Sequence, residues 1–316
     1  MQGRVVTRAE IERALPGIDA VAAMERAFTA YSAGRAVVPP VGELLFRDPP
    51  GDAHIKYGYI EGDAVFVVKI ATGFYENTRN GLPPNSGVLL VFDARTGLPG
   101  AVLLDEGHLT NVRTAAAGAM AAKYLAPKDI AAIGILGAGI QARMQAIQLK
   151  AVVSCRKLVL WARRSDAALA CAADLEAAGF AVGIAESPAA VARAANLIVT
   201  VTPAMSPLLD AAAIRPGTHI TAVGSDTEEK RELAADAVAK ADLLVADSIP
   251  QCAVRGELHH ALAAGAIERG AVVELGHIVS GAQPGRKNDD QITIADLTGV
   301  AVQDIEIAKA VLARLN

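Results

Sequence analysis

The sequence predicts an α/β protein with two parts, a doubly wound parallel sheet and a smaller α+β domain, and three observations predict it. From residue 130 to about 246, short apolar runs alternate with helical patterns, as a parallel sheet with crossover helices requires. Ahead of that stretch, 64–70, 87–92 and 100–105 are β-prone runs separated by Gly, Pro and Asn, and they form one antiparallel or mixed sheet. Within 130–147 an apolar strand runs directly into a glycine-rich turn and then into a helical pattern.

The elements follow in order. Thr7-Arg8-Ala9-Glu10 has the spacing of a capping box, and Ile11, Ala14, Val21 and Met24 then recur at helical intervals, broken by Pro16-Gly17. Two short helices fit. The stretch 37–63 carries Pro39-Pro40 and Pro49-Pro50-Gly51, so it is expected to be loop around one strand. Asp93-Ala94-Arg95-Thr96-Gly97 reads as a hairpin turn, and 113–125 as a helix. Segments 131–136, 157–161, 181–184, 197–201, 219–223 and 243–246 then supply six strands of the parallel sheet. The last helix, 302–315, follows a polar stretch with Gly281, Pro284 and Gly285, and is expected to return to the first domain. The expected domains are therefore 1–126 with 293–316, and 127–292, divided near Ala126-Pro127-Lys128.

Composition narrows the partners. With 316 residues, 52% of them hydrophobic and 20% charged, the chain is an ordinary globular protein. A net charge of −4, scattered basic residues and 4% aromatics exclude a nucleic-acid footprint and leave small molecules as ligands. The first seven residues are too polar for a signal peptide, and no apolar run reaches the roughly 18 to 20 residues that cross a bilayer, so no membrane partner is expected. Cys155, Cys171 and Cys252 are odd in number and far apart, which fits a reducing cytoplasm. No pair among His54, His108, His219, His259, His260 and His277 has metal-ligand spacing, so no metal is expected; adjacent His259 and His260 should diverge on a helix.

The strongest chemical signal is Gly137-Ala138-Gly139-Ile140-Gln141-Ala142, a G-x-G-x-x-A turn between strand and helix. Gly137 permits the tight turn, Gly139 lets the backbone approach a pyrophosphate, and Ala142 lets the helix pack closely on the strand. The helix N-terminus then faces phosphate, so a Rossmann-type dinucleotide site is expected, the alternative being a glycine-rich structural turn that binds nothing. At the end of the second strand an NAD enzyme usually offers Asp or Glu to the ribose, whereas this chain has Trp161-Ala162-Arg163-Arg164. Guanidinium groups there favour the 2′-phosphate of NADP(H), with NAD(H) the alternative, or else they merely solvate a loop. Thr114, Thr202, Val223 and Gly224 complete the expected cofactor contacts.

Several further blocks occur in a telling order: Val68-Lys69; Asn77 with Gly81-Leu82-Pro83; Phe92-Asp93 with Thr96-Gly97; Leu109-Thr110 with Arg113-Thr114-Ala115-Ala116; and Gly224-Ser225-Asp226. Together with the glycine turn, they make the chain resemble the ornithine cyclodeaminase/mu-crystallin family over nearly its whole length. That resemblance implies a Rossmann domain, a substrate domain built from the N-terminal part plus the C-terminal helix, and a homodimer formed through the latter. It also implies hydride transfer between a nicotinamide and the α-carbon of a small amino or imino acid. Cyclic imine reduction is the preferred reading, with cyclisation of ornithine to proline as the alternative, and a cofactor-binding protein without turnover as a third.

A substrate α-carboxylate needs fixed cations, and Lys69 on its apolar strand and Arg113 at a helix start are the candidates. Alternation could turn Lys69 to solvent, Arg113 could form a domain-bridging salt bridge, and Thr114 could cap its helix. Asp226 follows the fifth strand at the carboxyl edge of the sheet, where such folds place ligands. The resemblance makes it the general acid/base, with Lys69 beside it; the bland reading is an N-cap for a helix near Glu228. This chain departs from members that act on ornithine, which carry an arginine just after the prolines near 40 and a glutamate ahead of the Lys69 strand. Those stretches here read Pro39-Pro40-Val41-Gly42-Glu43 and His54-Ile55-Lys56-Tyr57-Gly58, leaving Glu43 or Arg47 as loop substitutes.

Overall fold

A computed structural model describes residues 3–315; Met1, Gln2 and Asn316, the ends of the first expected domain, lie outside the described residues. The chain forms two compact units, 1–113 with 300–316, and 114–299. No described helix is long and apolar enough to cross a membrane.

The first unit holds a seven-stranded sheet. Its strands are β1 (Arg4–Thr7), β2 (Ala36–Val37), β3 (Gly42–Arg47), β4 (Pro50–Ile60), β5 (Val65–Gly73), β6 (Asn85–Asp93) and β7 (Pro99–Leu104). They lie in the order β1-β7-β6-β5-β4-β2, with β3 also paired to β4. β1 runs parallel to β7, and the other pairs are antiparallel. The turn read at 93–97 is closed by the Asp93 carboxylate, which accepts from the Arg95 and Thr96 N–H groups, each at 2.9 Å.

The stretch 37–63 is not a loop. β3 and β4 form a hairpin with Arg47 opposite Pro50, so the prolines punctuate a tight turn and do not exclude strands. Pro50 is tolerated because it is the first residue of its strand.

Thr7 and Glu10 make the capping box, with the Thr7 N–H donating to Glu10 Oε2 at 2.9 Å. Helices Arg8–Ala14 and Ala20–Ser32 follow, separated by a single 3-10 turn at Leu15–Gly17. Helix Ala301–Leu315 packs against Ala20–Ser32 and against one face of β4, β5 and β6. That face is buried and apolar except at Lys56 and Lys69: Ile60, Val65, Val67, Leu89 and Val91 are each 5% exposed or less.

The second unit is built on an eight-stranded sheet. Its strands are β8 (Ile133–Leu136), β9 (Lys157–Trp161), β10 (Ala181–Ile184), β11 (Leu197–Thr200), β12 (His219–Ala222), β13 (Leu243–Ala246), β14 (Val272–Glu274) and β15 (Thr293–Asp296). The order is β10-β9-β8-β11-β12-β15-β13-β14, with every pair parallel. All six expected segments are strands, and β14 and β15 are additions. β15 inserts between β12 and β13, so the parallel sheet claims residues that the sequence reading placed beyond 292. It is four residues long with a polar residue at each end, too short for periodicity to mark it.

Helix His108–Leu125 starts earlier than the expected 113 because Asp105 captures its amino end, accepting the Leu109 N–H at 2.8 Å. Its carboxyl half packs in the second unit. A side chain on Gly118 would collide with the buried amide of Gln145, which donates to the Thr114 carbonyl at 3.2 Å.

Candidate functional site

The glycine turn has the shape its sequence requires. Gly137 has φ +124°, and a Cβ there would lie 2.9 Å from Val201 Cγ2, so both backbone conformation and space demand glycine. Gly139 is the N-cap of helix Ile140–Leu149, and nothing lies within 4 Å of where its Cβ would be. The first position lets the chain turn, and the second leaves open space at a helix N-terminus, a cradle for a diphosphate. Ala142 is fully buried beneath, and Gln141 Oε1 lies 3.4 Å from the Gln145 amide nitrogen.

Arg143, which sequence reasoning passed over, braces this turn. Its guanidinium donates to the carbonyls of Ala138 at 2.7 Å and Gly139 at 3.2 Å, and pairs with Asp174 at 2.6 Å. An arginine four residues after the second glycine was the available signal, since that spacing returns a side chain to the same helix face.

At the end of β9, Arg163 and Arg164 are both exposed. Arg164 is engaged by Asp166 through two hydrogen bonds, at 3.2 and 2.7 Å, which leaves Arg163 as the better-placed guanidinium for an external anion.

Thr202, Val223 and Gly224 follow β11 and β12, and one buried side chain fastens these ends. Glu232 accepts from the Thr200 hydroxyl (2.6 Å), the Thr202 N–H (2.6 Å), the Thr202 hydroxyl (2.7 Å) and the Gly224 N–H (2.9 Å). Burial pushes Glu232 up to about 7 against these donors. Glu257, beneath it, accepts the N–H groups of Glu232 (2.6 Å) and Leu233 (2.9 Å) and is raised to about 8 by burial and by the Glu232 charge. Neither glutamate has a sequence signature, because each is defined by backbone groups remote in the chain.

Asp226 lies in the loop beyond Gly224, with its side chain 47% exposed and its Oδ1 2.7 Å from Lys230 Nζ. No helix starts near Glu228; the next one is Ala235–Ala239, so Asp226 is not an N-cap. The loop is closed by Ser225 Oγ donating to the Lys230 carbonyl and by Arg255 donating to the Asp226 carbonyl at 3.2 Å. Lys230 was missed because it acts on Asp226 through a non-helical loop.

Lys69 and Arg113 come together in the first unit. Lys69 is 2% exposed and turned inward, and the C-terminal helix supplies its counterion, Asp304, at 3.2 Å. Arg113 reaches the other oxygen of Asp304 at 3.2 Å and Gln303 Oε1 at 3.2 Å. The salt bridge foreseen for Arg113 therefore stays within one compact unit. Arg113 and Thr114 lie inside helix His108–Leu125, so Thr114 cannot be its cap.

Burial depresses Lys69 to about 8, aided by the Arg113 charge and resisted by Asp304. Asp304 is held below the usual carboxylate range: its burial opposes this, but Lys69, Arg113 and Lys56 outweigh it. Asp105 is raised by its burial.

The departures also resolve. Lys56 is buried at 9% exposure, directly across β4–β5 from Lys69. Glu43 is on strand β3, not a loop, with Oε1 3.4 Å from His54 Nδ1; Asp52 lies 3.4 Å from the other ring nitrogen. Arg47 ends the same strand, at the hairpin turn. His219 is a core histidine between Thr293 and Thr221 hydroxyls at 2.8 and 2.9 Å, lowered to about 3 by burial. The rings of His259 and His260 do not diverge: their centroids are 5.2 Å apart, and each ring meets a backbone carbonyl.

Comparison with known proteins gives a match across residues 1–316 to the description "Ornithine cyclodeaminase/mu-crystallin family". Three solved structures are similar throughout. The Δ1-pyrroline-2-carboxylate reductase of Thermococcus litoralis, in complex with NADH and L-proline, superposes with a TM-score of 0.92 at 30% identity, covering 98% of this chain and 96% of that one. An archaeal alanine dehydrogenase dimer with bound NAD gives 0.89 at 31% identity, over 98% and 95%. The iminosuccinate reductase of Paracoccus denitrificans with NAD+ gives 0.88 at 33% identity, over 98% and 95%.

Proposed function

From the premise that this chain belongs to the ornithine cyclodeaminase/mu-crystallin family, we propose that it is a nicotinamide-dependent oxidoreductase reducing a small α-imino acid to the amino acid. The observation that carries the reading is the pairing, in one chain, of an open diphosphate cradle at Gly139 with a buried cation cluster at Lys69 and Arg113. A hydride acceptor bearing an α-carboxylate needs both. The similar structures, two imine reductases and an amino-acid dehydrogenase, support the same class.

The coenzyme, when bound, supplies or accepts the hydride. The chain's residues do the rest. Arg113 and Lys69 hold the substrate carboxylate, which joins Asp304 in balancing their charge; this fixes the α-carbon. Asp226 exchanges the proton of the substrate nitrogen, and Lys230 keeps that carboxylate oriented. Arg143 and Glu232 fix the backbone against which the dinucleotide lies.

Arg163 favours NADP(H), through a hydrogen-bonded 2′-phosphate, over NAD(H). Titrating NADPH and NADH separately tests this, and tighter NADH binding would refute it. Replacing Asp226 by Asn should lower kcat by about 10² to 10⁴ with cofactor affinity unchanged; near-normal turnover removes its role. Cyclisation of ornithine is the second reading, and Lys56 in the buried face disfavours a substrate with a distal ammonium. A cofactor-binding protein without turnover is the third; tight coenzyme binding with no absorbance change across an amino- and imino-acid screen would support it.

The homodimer is proposed from an apolar sheet face. Val5, Tyr57, Tyr59 and Leu104 are 39–58% exposed, and the stacked rings of Phe66 and Phe92 lie among them on strands whose other face is the core. A sheet apolar on both faces needs a second cover, and a second copy supplies it. Light scattering at micromolar concentration should give twice the monomer mass. The free thiols of Cys155, Cys171 and Cys252 fit a cytoplasmic protein.

A further inference from the structure

Asp105 is fully buried in the first unit, and the proposed reaction so far gives it no part. One of its oxygens accepts the Leu109 N–H at 2.8 Å and caps the helix, while the other, Oδ1, has no hydrogen-bond partner. Serine or asparagine caps a helix as well and leaves no charge to bury, so capping alone does not account for an aspartate. The sheet brings this carboxylate beside Lys69. Lys69, Leu89 and Leu103 are in register across β5, β6 and β7, so all three point to one face. Asp105 lies two residues past Leu103, level with the Ala71–Gly87 rung and one alternation along from Lys69. There the chain folds over the sheet: a Cβ on Gly87 would lie 3.5 Å from Gly107 Cα, and Glu106 and Gly107 turn with φ of +53° and +79°. Glu106 is the one non-glycine residue at positive φ among the described residues, so the loop is kept on a path that costs backbone energy.

Resting on the reading of Lys69 as a cation for the substrate carboxylate, we infer that Asp105 is a positioning residue, whose free oxygen accepts an N–H of the Lys69 ammonium and keeps that group charged and fixed for the incoming carboxylate. Lys69 has need of it. Its ion-pair partner Asp304 is shared with Arg113, and both burial and the Arg113 charge favour loss of the ammonium proton, which Asp304 and Asp105 oppose. The same aspartate serves the second cation. Leu109 and Arg113 follow Asp105 at intervals of four, one face of the helix, so the cap at Asp105 sets the start of the element that carries Arg113. One side chain therefore ties the two cations of the site together, which explains a charged cap on a buried helix end.

Two variants test this. Asp105→Asn keeps an acceptor for the Leu109 N–H and removes the charge, and Asp105→Ser does so with a shorter side chain. The charged groups around Lys69 are Arg113, Asp304 and Asp105, with Lys56 opposite on β4; His108 also feels Asp105. Carbon-13 NMR of the lysine side chains, with the Lys69 signal assigned by its loss in Lys69→Met, should show Lys69 titrating at about 8 in the wild-type protein. Loss of a neighbouring negative charge should lower that midpoint by about one pH unit in both variants. In oxidation of L-alanine and L-proline with NAD+ and NADP+, KM should begin to rise about one pH unit lower than in the wild type. It should be about fivefold higher at pH 8, yet differ by less than about twofold at pH 6, with kcat changed less than about threefold. Melting temperature and coenzyme affinity by calorimetry identify which variant keeps the fold. An unmoved Lys69 midpoint, or a moved midpoint with an unmoved KM profile, overturns the inference and leaves the oxidoreductase reading intact. Absence of turnover with every substrate and coenzyme overturns that reading instead, and the lysine titration then decides alone whether Asp105 holds Lys69.

Discussion

The two units bury charge in opposite ways. In the first, Lys69 and Arg113 pair with the carboxylate of Asp304 at 3.2 Å, and Lys56 and Asp105 are close enough to act on the same cluster. In the second, Glu232 and Glu257 are neutralised mainly by hydroxyl and backbone N–H donors, and Asp247 accepts the Gly299 N–H at 2.6 Å. Burial raises both glutamates toward neutrality, so that network is satisfied by the protein itself. The difference separates an ion-pair cluster from a hydrogen-bonded clasp. Paired charges stay ionised when buried, whereas a carboxylate supplied with hydroxyl and N–H donors drifts toward neutrality and fixes the loops that donate to it.

The contrast is most severely tested at Asp304. Asp304→Ala should destabilise the chain by about 3 to 5 kcal/mol in urea unfolding, because it strands two buried cations. A loss below about 1 kcal/mol would mean that the cluster is solvated and the contrast fails. Glu232→Ala should cost less, about 1 to 3 kcal/mol in total, because the Gly224 N–H keeps the Thr200 carbonyl as acceptor at 3.1 Å and the threonine hydroxyls can turn, and it should weaken coenzyme binding by loosening Thr202 and Gly224. An unchanged coenzyme affinity would make Glu232 structural only.

pH separates the units with opposite signs. Glu232 and Glu257 have folded pKa values above the ordinary 4.5, so their contribution is full below that value and is lost as pH rises through about 7 and about 8. Lys69 is depressed from 10.5 to about 8, so its contribution is present above 10.5 and lost as pH falls through about 8. Denaturation across this range should show stability falling toward pH 8, with Glu257→Gln flattening the fall. Substrate KM should rise above pH 8 as Lys69 loses its charge, and a flat KM would detach Lys69 from the carboxylate.

The smallest structural effect belongs to Gly139→Ala. With nothing within 4 Å of the added methyl, stability should move by less than about 0.5 kcal/mol while dinucleotide affinity falls. An equal fall in both would show that Gly139 serves the fold.

Local pattern carried much of this protein. Capping at Thr7 and Glu10, the turn at Asp93, the strand–glycine–helix unit at Gly137 and six parallel strands were all legible, because each depends on residues near one another in sequence. The stretch 37–63 misled because proline marks a hairpin turn and a loop alike, and β15 was hidden by its length. Arg113 and Lys69 were readable as candidate cations, but Asp304 and Gln303, about 190 residues away from Arg113, were not.

By itself, then, the sequence determined the class of fold, the dinucleotide turn and which charged residues were out of place on apolar elements, since propensity, periodicity and glycine stereochemistry act over a few residues. Tertiary structure alone decided that Lys69 turns inward and meets Asp304, that Lys56 faces it across the sheet, and that Glu232 ties two strand ends together. Buried charge finds its partner by three-dimensional proximity, through low-dielectric attraction and hydrogen bonding between groups that chain order keeps far apart.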